Sequence, residues 1–137
     1  MMKAWRKRLW GAGPINRILG TSAERLVARD LHRRGYRVLA RNLRNRCGEI
    51  DIVAEAPDRR TIAVVEVKAS AQDEDAVPAE IHVNLYKQRK LVALACQLAR
   101  WYRLTDRPIR FDIAGVHVPA LGPPVIRYHA GAFESHV

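Results

Sequence analysis

The segment Thr61-Ile62-Ala63-Val64-Val65-Glu66-Val67-Lys68 constrains the fold more than any other part of the chain. It is short and rich in β-branched residues, the pattern of a core strand. Successive side chains of a strand point to opposite faces. Ile62 and Val64 therefore share a face with Glu66, while Ala63, Val65 and Val67 fill the other. A strand apolar on both faces belongs at the centre of a sheet covered by helices on both sides. In that setting the ionised side chains of Glu66 and Lys68 are costly unless paired or bound to metal, because burial strips water from each charge.

Glu66 and Lys68 project together, about 6–7 Å apart along the strand. A second buried-looking acid lies upstream in Gly48-Glu49-Ile50-Asp51-Ile52-Val53. Asp51 joins them if strands 49–55 and 61–68 form a hairpin through Ala56-Pro57-Asp58-Arg59-Arg60. Any hairpin loop with an even number of residues puts Asp51 on the face of Glu66, and a loop of Asp58-Arg59 sets the two directly opposite. Two carboxylates so placed can hold one or two hard divalent cations, Mg²⁺ or Mn²⁺, which prefer oxygen ligands. Such a cation polarises a phosphodiester and lowers the pKa of a bound water. A lysine beside it can position that water or stabilise charge growing on the phosphate. The competing reading is a Glu66–Lys68 surface pair on an edge strand, which the apolar neighbours on both faces weaken.

At 137 residues the chain is long enough for one domain with a single core. The expected division is a basic arm over 1–19, one domain over 20–129 and a weakly structured tail over 130–137. The net charge of +10 is concentrated: residues 1–46 hold thirteen Lys or Arg against two acids, and the remainder eleven against twelve. A concentrated basic field attracts polyanions through counterion release, so nucleic acid is the favoured partner over a merely solubilising surface. No stretch approaches the ~20 apolar residues of a membrane span, so no membrane partner is expected. Met1 to Pro14 lacks the apolar run of a signal peptide. Cys47 and Cys96 show no metal-ligand spacing, and both read as reduced, buried thiols of a cytoplasmic protein.

Along the chain, Thr21-Ser22-Ala23-Glu24 fits a capping box opening a helix that ends at Arg34 with Gly35 as its cap. Ala23, Leu26, Val27, Asp30 and Leu31 form one stripe of it, with Arg25, Arg29 and Arg33 opposite. Strands follow at 36–42, 47–55 and 61–68, with Arg41, Arg44 and Arg46 clustered near the first loop. Ser70 to Ala79, with Asp73-Glu74-Asp75, reads as a solvated loop. A long helix over Ala79–Tyr102 buries Leu91, Leu94, Ala95, Leu98 and Tyr102 and starts with a basic collar of Lys87, Arg89 and Lys90. Strands at 109–118 and 125–129 complete the order α-β-β-β-α-β-β, an α/β fold with a central mixed β-sheet flanked by helices.

This order, with Asp51 and Glu66-x-Lys68 on adjacent strands, resembles the PD-(D/E)xK nuclease superfamily and its restriction-endonuclease-like fold. Gly35-Tyr36, Arg41-Asn42-x-Arg44, Gly48-Glu49-Ile50-Asp51, Val65-Glu66-Val67-Lys68, Lys87-Gln88-Arg89-Lys90-Leu91 and Arg110-Phe111-Asp112 narrow the resemblance to the bacterial YraN family, itself likened to Holliday-junction resolvases. The resemblance covers roughly Gly20 to Val116. It implies that Asp51 and Glu66 are the principal metal ligands, that Lys68 is the motif lysine and that Glu24 completes the metal site. Glu24 also reads as the return partner of Thr21 in a capping box. Glu49 should point to the far side of the strand bend or sit at its mouth, and Arg110 with Asp112, alternating outward from Phe111, reads as an ion pair at least as readily as a site. Ala23, Ser70 and the 73–75 loop depart from the family's usual pattern.

The leading functional expectation is a metal-dependent endonuclease-like hydrolase acting on branched or single-stranded DNA. Asp51, Glu66 and Lys68 would be catalytic, Asp51, Glu66 and Glu24 would hold Mg²⁺ or Mn²⁺, and Arg41, Arg44 and Lys87 would grip phosphates. A homodimer is compatible with such nucleases, since a duplex has two strands to cut, though no residue marks an interface. Two alternatives stand beside it: a non-catalytic nucleic-acid-binding module, and a scaffold whose basic half meets an acidic protein. The single, scattered histidines and the absence of Walker, dinucleotide or Ser/His/Asp patterns offer no rival chemistry.

Overall fold

The computed structural model describes residues 6–7, 14–70 and 83–133. The elements run β1 (Arg6–Lys7), α1 (Pro14–Arg33), β2 (Arg37–Asn45), β3 (Gly48–Glu55), β4 (Ile62–Ser70), α2 (Leu85–Trp101), β5 (Ile109–His117) and β6 (Val125–Phe133). The strands form one mixed sheet in chain order. Only β4 and β5 are parallel, as the α2 crossover between them requires; the other neighbours are antiparallel. β1 is a two-residue strand against Leu43 and Arg44, so five full strands carry the sheet.

The central position expected for Thr61–Lys68 is what β4 occupies. Ile62 and Val64 pack with Leu91, Leu94 and Leu98 of α2. Ala63 and Val65 pack with Ala23, Val27 and Leu31 of α1. Each helix thus covers one face, and both faces exclude water.

The 48–70 hairpin closes around Pro57-Asp58-Arg59-Arg60, where the Ala56 N–H donates to the Thr61 carbonyl at 2.9 Å. The Asp58 carboxylate accepts from the Thr61 hydroxyl at 2.6 Å and from the Arg60 and Thr61 N–H groups at 2.8 Å each. These bonds, the hydroxyl's first, push its pKa down to about 2. The even loop centred on Asp58-Arg59 gives the register Ile52↔Val65 and Val53↔Val64. The ladder ends at Ile52↔Val65, one step before the expected pairing of Asp51 with Glu66.

Several local expectations are corrected. α1 begins at Pro14, well before Thr21, and so takes in most of the residues assigned to the end of a basic arm. A proline needs no N–H partner at the first helical position, so Pro14 is a start signal that outweighs the capping pattern at Thr21. Glu24 therefore sits inside the helix and not in its first turn. At the other end the Tyr36 N–H reaches Leu31 O at 2.9 Å and the Gly35 N–H reaches His32 O at 3.1 Å, the double closure that glycine at positive φ permits. α2 starts at Leu85, because Asn84 caps it by accepting the Lys87 N–H at 2.9 Å. The expected helical residues Ala79–His82 and the Asp73–Asp75 loop lie outside the described residues. Tyr102 ends α2 as an exposed residue, and β6 continues through Ala130–Phe133 into the expected tail. Cys96 is exposed and Cys47 half-buried, so neither thiol is fully buried as expected.

Asp112 was expected to face outward; it is 1% exposed. Arg110 donates to both its oxygens at 2.8 Å, the Gly131 N–H donates at 2.9 Å and the Tyr128 hydroxyl donates as well. Arg110 also reaches the Tyr36 hydroxyl at 2.6 Å. Burial, then the Asp112 charge, pushes the Tyr128 hydroxyl well above its usual pKa. The ion pair is a latch joining β5, β6 and the start of β2, and every charge in it is answered.

Candidate functional site

Beyond a bulge of β2 between Val38 and Ala40, the pleat of β2 and β3 breaks phase again at one shared level. Ile50 and Val53 both pack toward α2, whereas Ile52 and Ala54 pack toward α1. On β2, Ala40 and Leu43 likewise both face α2. Between them Asn42 has φ +54°, a left-handed conformation that asparagine tolerates better than most residues. The pairs Arg41↔Ile52 and Leu43↔Ile50 place Asn42 opposite Asp51. Asp51 therefore sits at a kink shared by two strands.

The β3–β4 ladder ends at the same level. Beyond Ile52↔Val65 the strands part, and the Asp51 carboxylate accepts the Val67 N–H at 2.9 Å. That bond satisfies a backbone donor the ladder no longer reaches. The parting opens a cleft of about 340 Å³ lined by Gly48, Glu49, Asp51, Glu66, Lys87, Lys90, Leu91 and Leu94. Gly48 has φ +149°, and a Cβ there would lie 2.9 Å from Leu94 Cδ1 and 3.1 Å from Lys90 Cε. Only glycine lets α2 close this wall.

The electrostatics of the cleft centre on Asp51, whose carboxyl is pushed up to about 8. Desolvation is the largest cause and the Glu66 charge the second; the Val67 hydrogen bond opposes them, and Glu24 and Glu49 add smaller upward pushes. Glu24 reaches this group from α1, where it is 6% exposed. Three carboxylates from three elements, Glu66, Glu24 and Glu49, thus act on Asp51. Glu66 is 12% exposed in its side chain and forms an ion pair with Lys87, which is 43% exposed.

The structure brings Asp51 and Glu66 together, with Glu24 close enough to act on Asp51. Glu49 is exposed and sits at the mouth. Lys68 shares Glu66's strand face by alternation but does not line the cleft. Lys87, expected to grip phosphates, is instead the partner of Glu66. Arg44 is half-buried beside Glu49 across the β2–β3 ladder, and Arg41 is exposed on β2. The lining role of Lys90 was missed, although Lys87, Lys90, Leu91 and Leu94 fall at i, i+3, i+4 and i+7, one face of a helix.

Among the described residues, no three His, Cys, Asp or Glu side chains are close enough to enclose a metal ion. The donor set still suits Mg²⁺, which is commonly held by one or two carboxylates with the rest of its shell left to water and phosphate. Asp51 has one oxygen outside the Val67 hydrogen bond, and Glu66 has one outside the Lys87 pair. Both are hard oxygen donors.

No helix among the described residues is long and apolar enough to cross a membrane. Residues 23–116 match the pattern of the uncharacterised protein family UPF0102. A UPF0102 protein of Pelobacter propionicus is 36% identical over 123 residues, covering 90% of this chain and 87% of that protein. One from Geobacter sulfurreducens is 36% identical over 119 residues, covering 87% and 91%. One from Rhodopseudomonas palustris is 40% identical over 117 residues, covering 85% and 83%. With a match across most of its length and relatives aligned nearly end to end, the chain belongs to the UPF0102 family.

Proposed function

We propose that this chain is a divalent-metal-dependent nuclease with a restriction-endonuclease-like fold, hydrolysing phosphodiester bonds of DNA in the cytoplasm. One observation carries the reading. Two acids from different strands, Asp51 and Glu66, are set on a single cleft at a strand kink, and the Asp51 carboxyl is crowded by further acids. Folding alone gains nothing from such crowding, whereas a divalent cation relieves it. Asp51 and Glu66 would hold Mg²⁺ or Mn²⁺, with Glu24 supporting from α1. The ion would supply a Lewis acid for the phosphodiester and a source of hydroxide at neutral pH.

The lysines divide the remaining work. Lys87 already lies against Glu66, so a phosphate drawn to the cleft meets its ammonium, which can stabilise charge growing on the phosphate oxygens. Lys90 adds positive charge on the same wall. The second reading, a nucleic-acid-binding module without catalysis, is favoured by two observations: Lys68 stands outside the cleft and Lys87 neutralises Glu66.

A cleavage assay separates them, using linear, single-stranded, flapped and four-way DNA with Mg²⁺ or Mn²⁺. Asp51→Asn or Glu66→Gln should abolish cutting while DNA binding persists. Lys87→Ala should cost more rate than Lys68→Ala. Activity that survives Glu66→Gln would place the chemistry elsewhere, and inactivity of the pure wild type on every substrate would favour the binding module.

A further inference from the structure

A second recess lies apart from the acid cleft, between α1 and the outer side of β2. It has a volume of about 690 Å³, and Arg25, Arg29, Arg33, Arg37 and Arg41 line it over a floor that includes Tyr36. No acid lines it. Among the described residues only Arg37 of the five is in an ion pair, with Glu55 at 3.6 Å. Arg34, which does not line the recess, takes Asp30 at 2.7 Å. Like charges spaced i, i+4 destabilise a helix, so the row Arg25, Arg29, Arg33 is a feature folding does not favour.

We propose that this arginine groove is where a nucleic-acid strand docks through its phosphates. The i, i+4 spacing sets successive guanidinium stems about 6 Å apart along the helix. That step is comparable with the separation of neighbouring phosphates on one strand. Guanidinium groups bind phosphate oxygens in pairs, with a geometry that lysine lacks. Arg37 and Arg41 form the facing wall along β2. Among the described residues no further strand lies beside β2 at this level, because β1 pairs only at Leu43 and Arg44. None of the described residues therefore closes the groove at its side. A membrane surface would need bulky apolar anchors among the cations, and the apolar lining residues are Ala28 and Val38, both small, with Tyr36 held by Arg110.

The groove and the acid cleft share no lining residue, but α1 carries a residue that bears on each. Arg25 follows Glu24, the α1 acid that acts on Asp51, and the row runs from there along the helix to Arg33. A strand docked along α1 from Arg25 to Arg33 would start one residue from Glu24 and run away from it. In this respect the inference rests on the nuclease reading, but its test does not.

Binding is measured by fluorescence anisotropy on the full chain in EDTA, with a labelled single-stranded oligonucleotide and its duplex, across a salt series. Arg29→Gln/Arg33→Gln is compared with Arg89→Gln/Arg100→Gln, two exposed arginines of α2 that remove the same charge. The groove pair should weaken binding at least tenfold, and the α2 pair less than twofold. The slope of log affinity against log salt should flatten by about 1.4 on single strands and about 1.8 on duplex for the groove pair. The larger wild-type affinity identifies which form of nucleic acid the groove takes. Circular dichroism checks the folding of each variant, and Arg41→Gln on β2 tests the same groove without touching α1.

Equal losses from both pairs would overturn the proposal, because only net charge would then matter. So would an absence of wild-type binding at low salt. Polyglutamate competing as well as DNA at equal charge would assign the groove to an acidic protein instead. Salt-sensitive binding that depends on the groove but comes with no metal-dependent cleavage would sink the nuclease reading and leave this one standing.

Discussion

Replacing Asp51 by asparagine should make the protein more stable while removing its proposed chemistry. The unfolded carboxyl titrates near 3.8, and the folded one is pushed up to about 8 by burial first and by Glu66 next. Between these values the folded state holds a proton that the unfolded state has released. This group's contribution to stability is therefore lost as pH rises through that window, the reverse of an ion-paired carboxylate. At pH 7 the cost is about 4 kcal/mol, taking 1.36 kcal/mol per pKa unit. Asparagine is isosteric, can still accept the Val67 N–H, and has acid neighbours to take its amide protons. It must also bury an amide, so a net gain of about 2–4 kcal/mol is expected. In a chain of this size that raises Tm by roughly 6–12 °C.

The assay is thermal and urea unfolding of both proteins from pH 4 to 9, with and without Mn²⁺. The wild type should lose stability relative to the variant as pH rises, and the two should converge near pH 4. Mn²⁺ should stabilise the wild type by mass action and leave the variant unmoved. Parallel pH curves, or a less stable Asp51→Asn protein at pH 8, would refute the account of a crowded, proton-holding carboxyl.

Two further substitutions test the frame that holds the cleft. Asp112→Asn should cost about 3–5 kcal/mol by urea unfolding, because it leaves the part-buried Arg110 without its charge partner. The double change Arg110→Met/Asp112→Leu should recover a good part of that loss. Gly48→Ala should cost about 1–3 kcal/mol from backbone strain alone, with the contact on Leu94 added. Gly122→Ala, at φ +99° with nothing within 4 Å, should show the strain without the contact and cost less in the same measurement.

The amino-acid sequence by itself determined the local frame. Alternation along Ile62–Val67 made β4 central, and the even loop around Asp58-Arg59 brought Asp51 and Glu66 to one cleft, because strand period and loop parity are local properties. Gly35 ended α1 for the same kind of reason. What joins distant segments was decided only in three dimensions. The partner of Glu66 is Lys87, twenty-one positions on, because Leu91 and Leu94 dock α2 onto the sheet where Gly48 leaves room. Lys68, the nearer lysine in sequence, stands outside the cleft that docking creates. Asp112 became a buried latch because Tyr128 and Gly131 of β6 arrive to bond it. The kink at Asn42 and the pKa of Asp51 belong to the same class. Each depends on how closely packed elements approach, and that distance is set by the summed volumes of a core, which no spacing along the chain records.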